Sequence, residues 1–261
     1  MSRFARIAST SIGKKLLMAV TGLGMAGWLI GHLTGNLKVF FGQKEVNEYA
    51  LWLHDHPSLL WPTRVAMLLF VLIHILKGLQ LTSENRKARP SKYQVEATLR
   101  AGFPSRFMAV SGIVLVLFIA MHLAHYTFHL LPGEYHTDSM GNPDVYAMVI
   151  AGFKDPLFSG VYVIALGFAG LHLWHALSSA LQTLGINHPA YNQLLRSGLK
   201  ALVVALVIGV IVLAGLLLVT PGFVTDAFGL LLLAPPVRVA VRAAARRYLQ
   251  RRVTTVRIER G

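Results

Sequence analysis

Residues 105–130, SRFMAVSGIVLVLFIAMHLAHYTFHL, decide how the rest of the chain is read. The run holds about 20 mostly apolar residues, enough for a helix to cross the ~30 Å hydrocarbon core of a bilayer. His122 lies inside it. An ionisable side chain at membrane depth is costly, so it calls for a partner and marks a candidate functional site. Three further apolar runs repeat the pattern: His32 in KLLMAVTGLGMAGWLIGHL, His74 in RVAMLLFVLIHILKGL and His172 in VYVIALGFAGLHLWHAL. Neutral imidazoles on four spanning helices can be satisfied together by binding iron in pairs, as axial ligands of two haems.

Composition narrows the alternatives. The chain has 261 residues, of which 54% are hydrophobic and 14% charged, too apolar a mixture for an ordinary soluble domain. Its net charge of +14 is carried by clusters between apolar runs, a distribution that suits a membrane surface rather than nucleic acid. It contains no cysteine, which excludes disulfides, thiolate-bound iron–sulfur clusters and covalently attached haem. Any iron–sulfur centre must be brought by a partner.

The charge pattern predicts an all-α bundle of five transmembrane helices. Arg3, Arg6, Lys14 and Lys15 precede the first, over residues 12–33, and place the N-terminus in the cytoplasm. That run is too long for a signal-peptide core and ends without a small-residue cleavage site, so it is read as a retained helix. Gly22, Gly24, Gly27, Gly31 and Gly35 keep one flank smooth, which suits close helix packing or a flat macrocycle. A mixed aromatic and polar loop with Trp52 and Trp61 follows at the outer interface. Helix 2, residues 62–81, runs inward with His74 in its inner half, and Lys77 is expected to snorkel or to meet a haem propionate. The basic loop with Arg86, Lys87, Arg89, Lys92, Arg100 and Arg106 belongs on the cytoplasmic side, where it either sets orientation or docks a soluble partner. Helix 3 carries His122 outward, and the loop after it bears Glu134, Asp138, Asp144 and Asp155. Helix 4, residues 156–184, brings His172 back past its midpoint, and helix 5, residues 197–219, has no histidine.

Depth then predicts the pairing, with His32 and His122 near the outer face and His74 and His172 nearer the cytoplasm. Two imidazoles fill both axial positions of an iron, so the expected chemistry is electron transfer and not oxygen binding. His125 and His175 each follow a proposed ligand by three residues on nearly the same face, which leaves a shifted register open. A metal site from His122, His125 and His129 lacks a carboxylate or further ligand at a suitable spacing. His54, His56, His136 and His188 fall at interfaces or in loops, and His54 or His56 could assist a quinone.

The segments SIGKKLLMAVTGLGMAGWLIGHLTGNL, LTSENRKARPSKY, SGIVLVLFIAMHL and LHLWHALSSALQTLGINHP together resemble the cytochrome b558 membrane subunit of succinate:quinone oxidoreductases, over roughly residues 1–212. The resemblance implies a respiratory complex II anchor with two haems b, the proximal held by His74 and His172 and the distal by His32 and His122. It prefers His122 to His125 and His172 to His175. It implies a flavoprotein and an iron–sulfur subunit docked on the cytoplasmic face, no succinate site in this chain, membrane quinone, often menaquinone, as electron acceptor, and residence in the bacterial cytoplasmic membrane. In some dihaem relatives a glutamate two residues before the fourth ligand carries protons. Gly170 stands at that position here, which argues against such coupling. Glu45 and Glu48 lie in the loop where those relatives place an acidic residue near quinone.

The tail departs from this pattern. From about residue 213, and most clearly in PGFVTDAFGLLLLAPPVR, it resembles the end of FxsA-family membrane proteins, as though a second origin were joined within helix 5. Residues 227–241 are short for a span and interrupted by Pro235 and Pro236. A tilted or re-entrant return is therefore expected, bringing Arg238, Arg242, Arg246, Arg247, Arg251 and Arg252 to the cytoplasm, with RVAVRAAARRYLQRR as an amphipathic surface helix. Two functions compete on the sequence alone: a dihaem electron-transfer anchor, for succinate dehydrogenase or another dehydrogenase, and a haem-free structural membrane protein of FxsA type.

Overall fold

A computed structural model describes residues 3–88, 102–133, 135–137, 141–186 and 188–218. The chain divides into two compact units, Met1–Ala214 and Gly215–Gly261. Of the second, only residues 215–218, at the end of a helix, are described, so the re-entrant return and basic surface helix expected there lie outside the described residues. So do Arg89, Lys92 and Arg100 of the basic loop and Glu134 and Asp138 of the acidic one.

The first unit is all-helical. A short α1 (Arg3–Ser9) leads into α2 (Ser11–Asn36), followed by a 3-10 turn (Leu37–Phe41), α3 (Gln43–Asp55) and α4 (Pro57–Lys87). After the basic loop come α5 (Phe103–Arg106), α6 (Met108–Tyr126), α7 (Val145–Lys154), α8 (Pro156–Thr183) and α9 (Pro189–Leu218). Four segments among the described residues are long and apolar enough to cross a membrane: Ser11–Phe41, Pro57–Lys87, Met108–Tyr126 and Pro156–Thr183. This is an α-helical membrane protein. The shortest of the four, α6, has 19 residues and measures about 28 Å, close to the hydrocarbon thickness.

Outward-facing apolar residues confirm the environment. Leu117 is 66% exposed, Ile164 63% and Leu68 59%, although all three lie mid-helix. Apolar faces of that extent are stable against lipid, not water, and the backbone groups behind them are satisfied within each helix.

Cap chemistry sets several helix starts. Thr10 accepts from the Gly13 amide at the head of α2, and Asp155 accepts from the amides of Leu157 and Phe158 at the head of α8. Helix α4 begins at Pro57, five residues before the expected start at Pro62. Pro57 occupies the first helical position, where a missing N–H costs nothing, and Pro62 is carried inside at the loss of one bond near the end. The stretch expected as an interfacial loop is itself folded, as α3, and α7 interrupts the acidic loop after α6. The helix that carries the expected fifth span starts at Pro189, eight residues earlier than anticipated, with His188 Nδ1 accepting from the Ala190 amide at 3.2 Å.

The four long helices run up, down, up, down. Lys14, near the start of α2, forms an ion pair with Glu84, near the end of α4, while an added Cβ at Gly24 would meet the Phe70 ring. Those contacts align α2 and α4 antiparallel and bring them close at Gly24, while at Gly27 and Gly31 of the same flank an added Cβ would meet nothing within 4 Å. Helices α6 and α8 are antiparallel by the same logic, since Phe118 packs edge-on against Tyr162 and His125 stacks on Phe158.

Candidate functional site: two pairs of histidines inside the bundle

All four histidines singled out in the sequence point into the bundle, and they meet in two pairs. The rings of His74 (α4) and His172 (α8) have centroids 6.3 Å apart at an interplanar angle of 60°. The rings of His32 (α2) and His122 (α6) are 5.9 Å apart at 90°. We call these the near and far pairs, by distance from the N-terminus of α2.

Each pair has its own surroundings. In the near pair, His74 Nδ1 lies 3.1 Å from the hydroxyl of Thr21 and His172 Nδ1 lies 3.1 Å from that of Ser111. Both hydroxyls are among the few deeply buried polar groups, Thr21 at 3% and Ser111 at 0% exposure. In the far pair, His122 Nδ1 lies 3.0 Å from the Tyr162 hydroxyl, while Trp28 stacks on His32 at 4.6 Å and 14°. Phe118 and Tyr126 complete an aromatic wall around His122.

Thr21 and His32 are eleven positions apart on α2, so the two levels are separated by about 16 Å of helix rise. Ser111 and His122 repeat that interval on α6. The sequence carries a signal for these hydroxyls in an internal repeat. MAVTG at 18–22 recurs as MAVSG at 108–112, and His32 recurs as His122 at the same 90-residue offset. The repeat extends to packing, because an added Cβ at Gly22 would meet His74 Cε1 at 3.1 Å and one at Gly112 would meet His172 Cε1 at 3.6 Å.

The remaining histidines lie elsewhere. His125 is fully buried, stacked between Tyr126 at 4.1 Å and Phe158 at 4.4 Å, with Gly152 of α7 close to its Cε1. His175 joins neither pair. His129 packs on Tyr135, and Nδ1 of His56 lies 2.7 Å from the Trp52 carbonyl. Lys77 donates to Gln80 at 3.1 Å, and Glu48 forms an exposed pair with Lys44 at 3.7 Å.

At the far end, outside the spans, Asp144 caps α7 and clasps it to α3. Its carboxylate accepts from Gln43 Nε2 at 2.6 Å, Asn47 Nδ2 at 2.9 Å and the Ala147 amide at 3.1 Å. Burial alone would raise this carboxyl. The bonds from Asn47, Ala147 and Gln43, with the His136 charge nearby, outweigh it and hold Asp144 below the ordinary carboxylate range.

Residues 158–248 match the family model of the FxsA cytoplasmic membrane protein. The match begins inside α8 and takes in His172, well upstream of the tail where a likeness was read at about residue 213, and covers about a third of the chain. No curated protein and no solved structure matches the chain.

The donor set fits a haem better than a bare metal ion. No group of three or more His, Cys, Asp or Glu side chains that could hold a metal assembles among the described residues. A haem iron takes four ligands from its macrocycle and needs two from the protein. With metal–nitrogen bonds of ~2 Å, two imidazoles sharing one metal have centroids about 6 Å apart, which both pairs approximate.

Proposed function

We propose that this chain is a dihaem b membrane subunit that passes electrons across the bilayer between a soluble dehydrogenase module and membrane quinone. The observation that carries the reading is the meeting of four intramembrane histidines as two facing pairs at two depths. His74 and His172 would hold one haem and His32 and His122 the other, and iron so ligated supplies one-electron transfer with no open position for oxygen. The chain's own part is to present two opposed nitrogens at each level, to exclude water with lipid-facing helices and to keep competing ligands away.

In this reading α9 supplies the fifth span, the N-terminus is cytoplasmic, and the bundle belongs to a bacterial inner membrane. The soluble partners, a flavoprotein and an iron–sulfur protein of the succinate dehydrogenase type, dock at the end of the bundle where Lys14, Lys15, Arg86, Lys87 and Arg106 gather near the near pair. Menaquinone or a similar quinone takes the electrons.

A second reading rests on the family match. A haem-free structural protein of FxsA type would use the same histidines only as interhelical hydrogen-bonding groups. One preparation separates the two. Full-length protein purified from haem-replete cells should give a reduced-minus-oxidised b-type spectrum, about two haems per chain and low-spin bis-imidazole resonances. A colourless preparation favours the structural protein. The soluble proteins that co-purify would name the dehydrogenase.

A further inference from the structure

We infer that Thr21 and Ser111 are positioning residues: each locks the histidine opposite it into the tautomer that leaves its second nitrogen free to bind metal. The inference rests on the dihaem reading for its purpose, but its geometry stands in the polypeptide alone.

A hydroxyl has one hydrogen to give. Thr21 Oγ1 lies 2.7 Å from the Leu17 carbonyl and 3.3 Å from that of Met18, and Ser111 Oγ lies 2.9 Å from the Phe107 carbonyl and 3.1 Å from that of Met108. Carbonyls only accept, and each hydroxyl has two of its own helix's carbonyls within reach of its hydrogen. With the hydrogen so used, each offers a lone pair toward the imidazole. The donor role then falls to His74 Nδ1 and His172 Nδ1, at 3.1 Å. In a neutral imidazole that leaves Nε2 unprotonated.

The alternative tautomer reverses this bond. It would set a ring lone pair against a hydroxyl whose hydrogen must then abandon its carbonyl, in a site where Ser111 is wholly buried and Thr21 nearly so. Gly22 and Gly112 follow directly in sequence and let the rings approach this closely. The same device on the two halves of a 90-residue repeat holds the two members of one pair from opposite sides. A hydrogen bond of this kind both orients a ligating histidine and makes its other nitrogen more basic.

The test uses the full chain with Thr21→Val, Ser111→Ala and the conservative Thr21→Ser, reconstituted with haem b. For Thr21→Val and Ser111→Ala, haem retention at one of the two sites should weaken about 10- to 100-fold, the other site staying unchanged. Haem that remains at the weakened site should have a raised midpoint potential, because its imidazole donates less. Thr21→Ser should match the wild type in both respects. Nitrogen-15 shifts of the His74 and His172 side chains in haem-free protein should report Nδ1–H, and a mixture of tautomers in the two deletion variants. Two wild-type-like haems in Thr21→Val and Ser111→Ala, or a Thr21→Ser variant as impaired as Thr21→Val, would overturn the inference and leave the dihaem reading standing. A wild type that binds no haem yet shows Nδ1–H at both rings would overturn the dihaem reading and keep the tautomer assignment.

Discussion

Around His74 and His172 the ring contacts are hydroxyl oxygens presented from α2 and α6, whereas around His32 and His122 they are mostly other rings. Ring spacing is nearly the same in the two places, 6.3 and 5.9 Å. Near the N-terminus of α2 the orientation of each imidazole is dictated by a directional bond to a fixed atom. At the far end it is dictated by aromatic surfaces, which restrict tilt but not protonation, and among the described residues His122 has a polar partner in Tyr162. A common spacing can thus be enforced by two kinds of chemistry, with different sensitivity to substitution.

The largest effect should come from removing a ring. On the proposed dihaem reading, replacing one histidine of either pair with alanine should lower bound haem from about two per chain to about one and leave the other pair's optical band in place. The two bands would thereby be assigned to the near and far pairs. If His74→Ala and His32→Ala removed the same band, the division into two independent sites would be wrong.

A smaller change separates the halves of the near site. A methyl at Gly22 would come within 3.1 Å of His74 Cε1, and one at Gly112 within 3.6 Å of His172 Cε1, the latter ordinary contact. Gly22→Ala should therefore displace the near ring and cost about 1–3 kcal/mol by overpacking, whereas Gly112→Ala should be close to neutral. Thermal melts followed at the haem band would show the difference. Equal effects would mean that α2 can shift to absorb the methyl.

Smaller again is the expected effect of Tyr162→Phe at the far pair. Among the described residues the phenol pairs with His122 Nδ1 at 3.0 Å, inside a cage of packed rings. A loss of about 1 kcal/mol in thermal stability is expected, with haem content unchanged. A loss of haem comparable to that of Thr21→Val would erase the contrast drawn between the two ends.

How much of this was legible in the sequence follows from what kind of interaction does each job. Long apolar runs mark the spans because a bilayer imposes length and polarity on any helix that crosses it. A histidine inside each run stands out because ionisable groups are rare there, and alternating helix direction sorts the four by depth. Local boundaries were harder to read. Pro62 looked like a helix start, but Pro57 takes that role, and an amphipathic segment resembling an interfacial loop is α3. Thr21 and Ser111 passed unnoticed because small hydroxyls in apolar helices usually bond their own backbone, as these do, and only the fold shows that a ring sits across from each. The register of His122 over His125 is open on spacing alone. What bears on it is a contact between segments that periodicity does not reveal, since an added Cβ at Gly152 of α7 would meet the Tyr126 hydroxyl and lie 3.0 Å from His125 Cε1.

The far end has one more feature, a carboxylate held by hydrogen bonds outside the spans, and it should matter least to the rings. Asp144 joins α7 to α3 above the far pair through three accepted hydrogen bonds. Its carboxyl titrates below the ordinary 3.8 in the folded protein, so the clasp contributes fully above that pH and is lost as pH falls through the depressed folded value. Amide protection of α7 should therefore be flat at neutral pH and fall in acid below about 4, relative to the unfolded reference. Asp144→Asn, which cannot carry the charge, should start with weaker protection at neutral pH and lack that acid step. Both proteins should keep the same haem spectrum, because α6 and α8 hold His122 without help from α7's N-terminal cap. Were the far band to shift in Asp144→Asn, the aromatic cage would be shown to depend on the clasp, and the far pair could no longer be treated as held by ring packing alone.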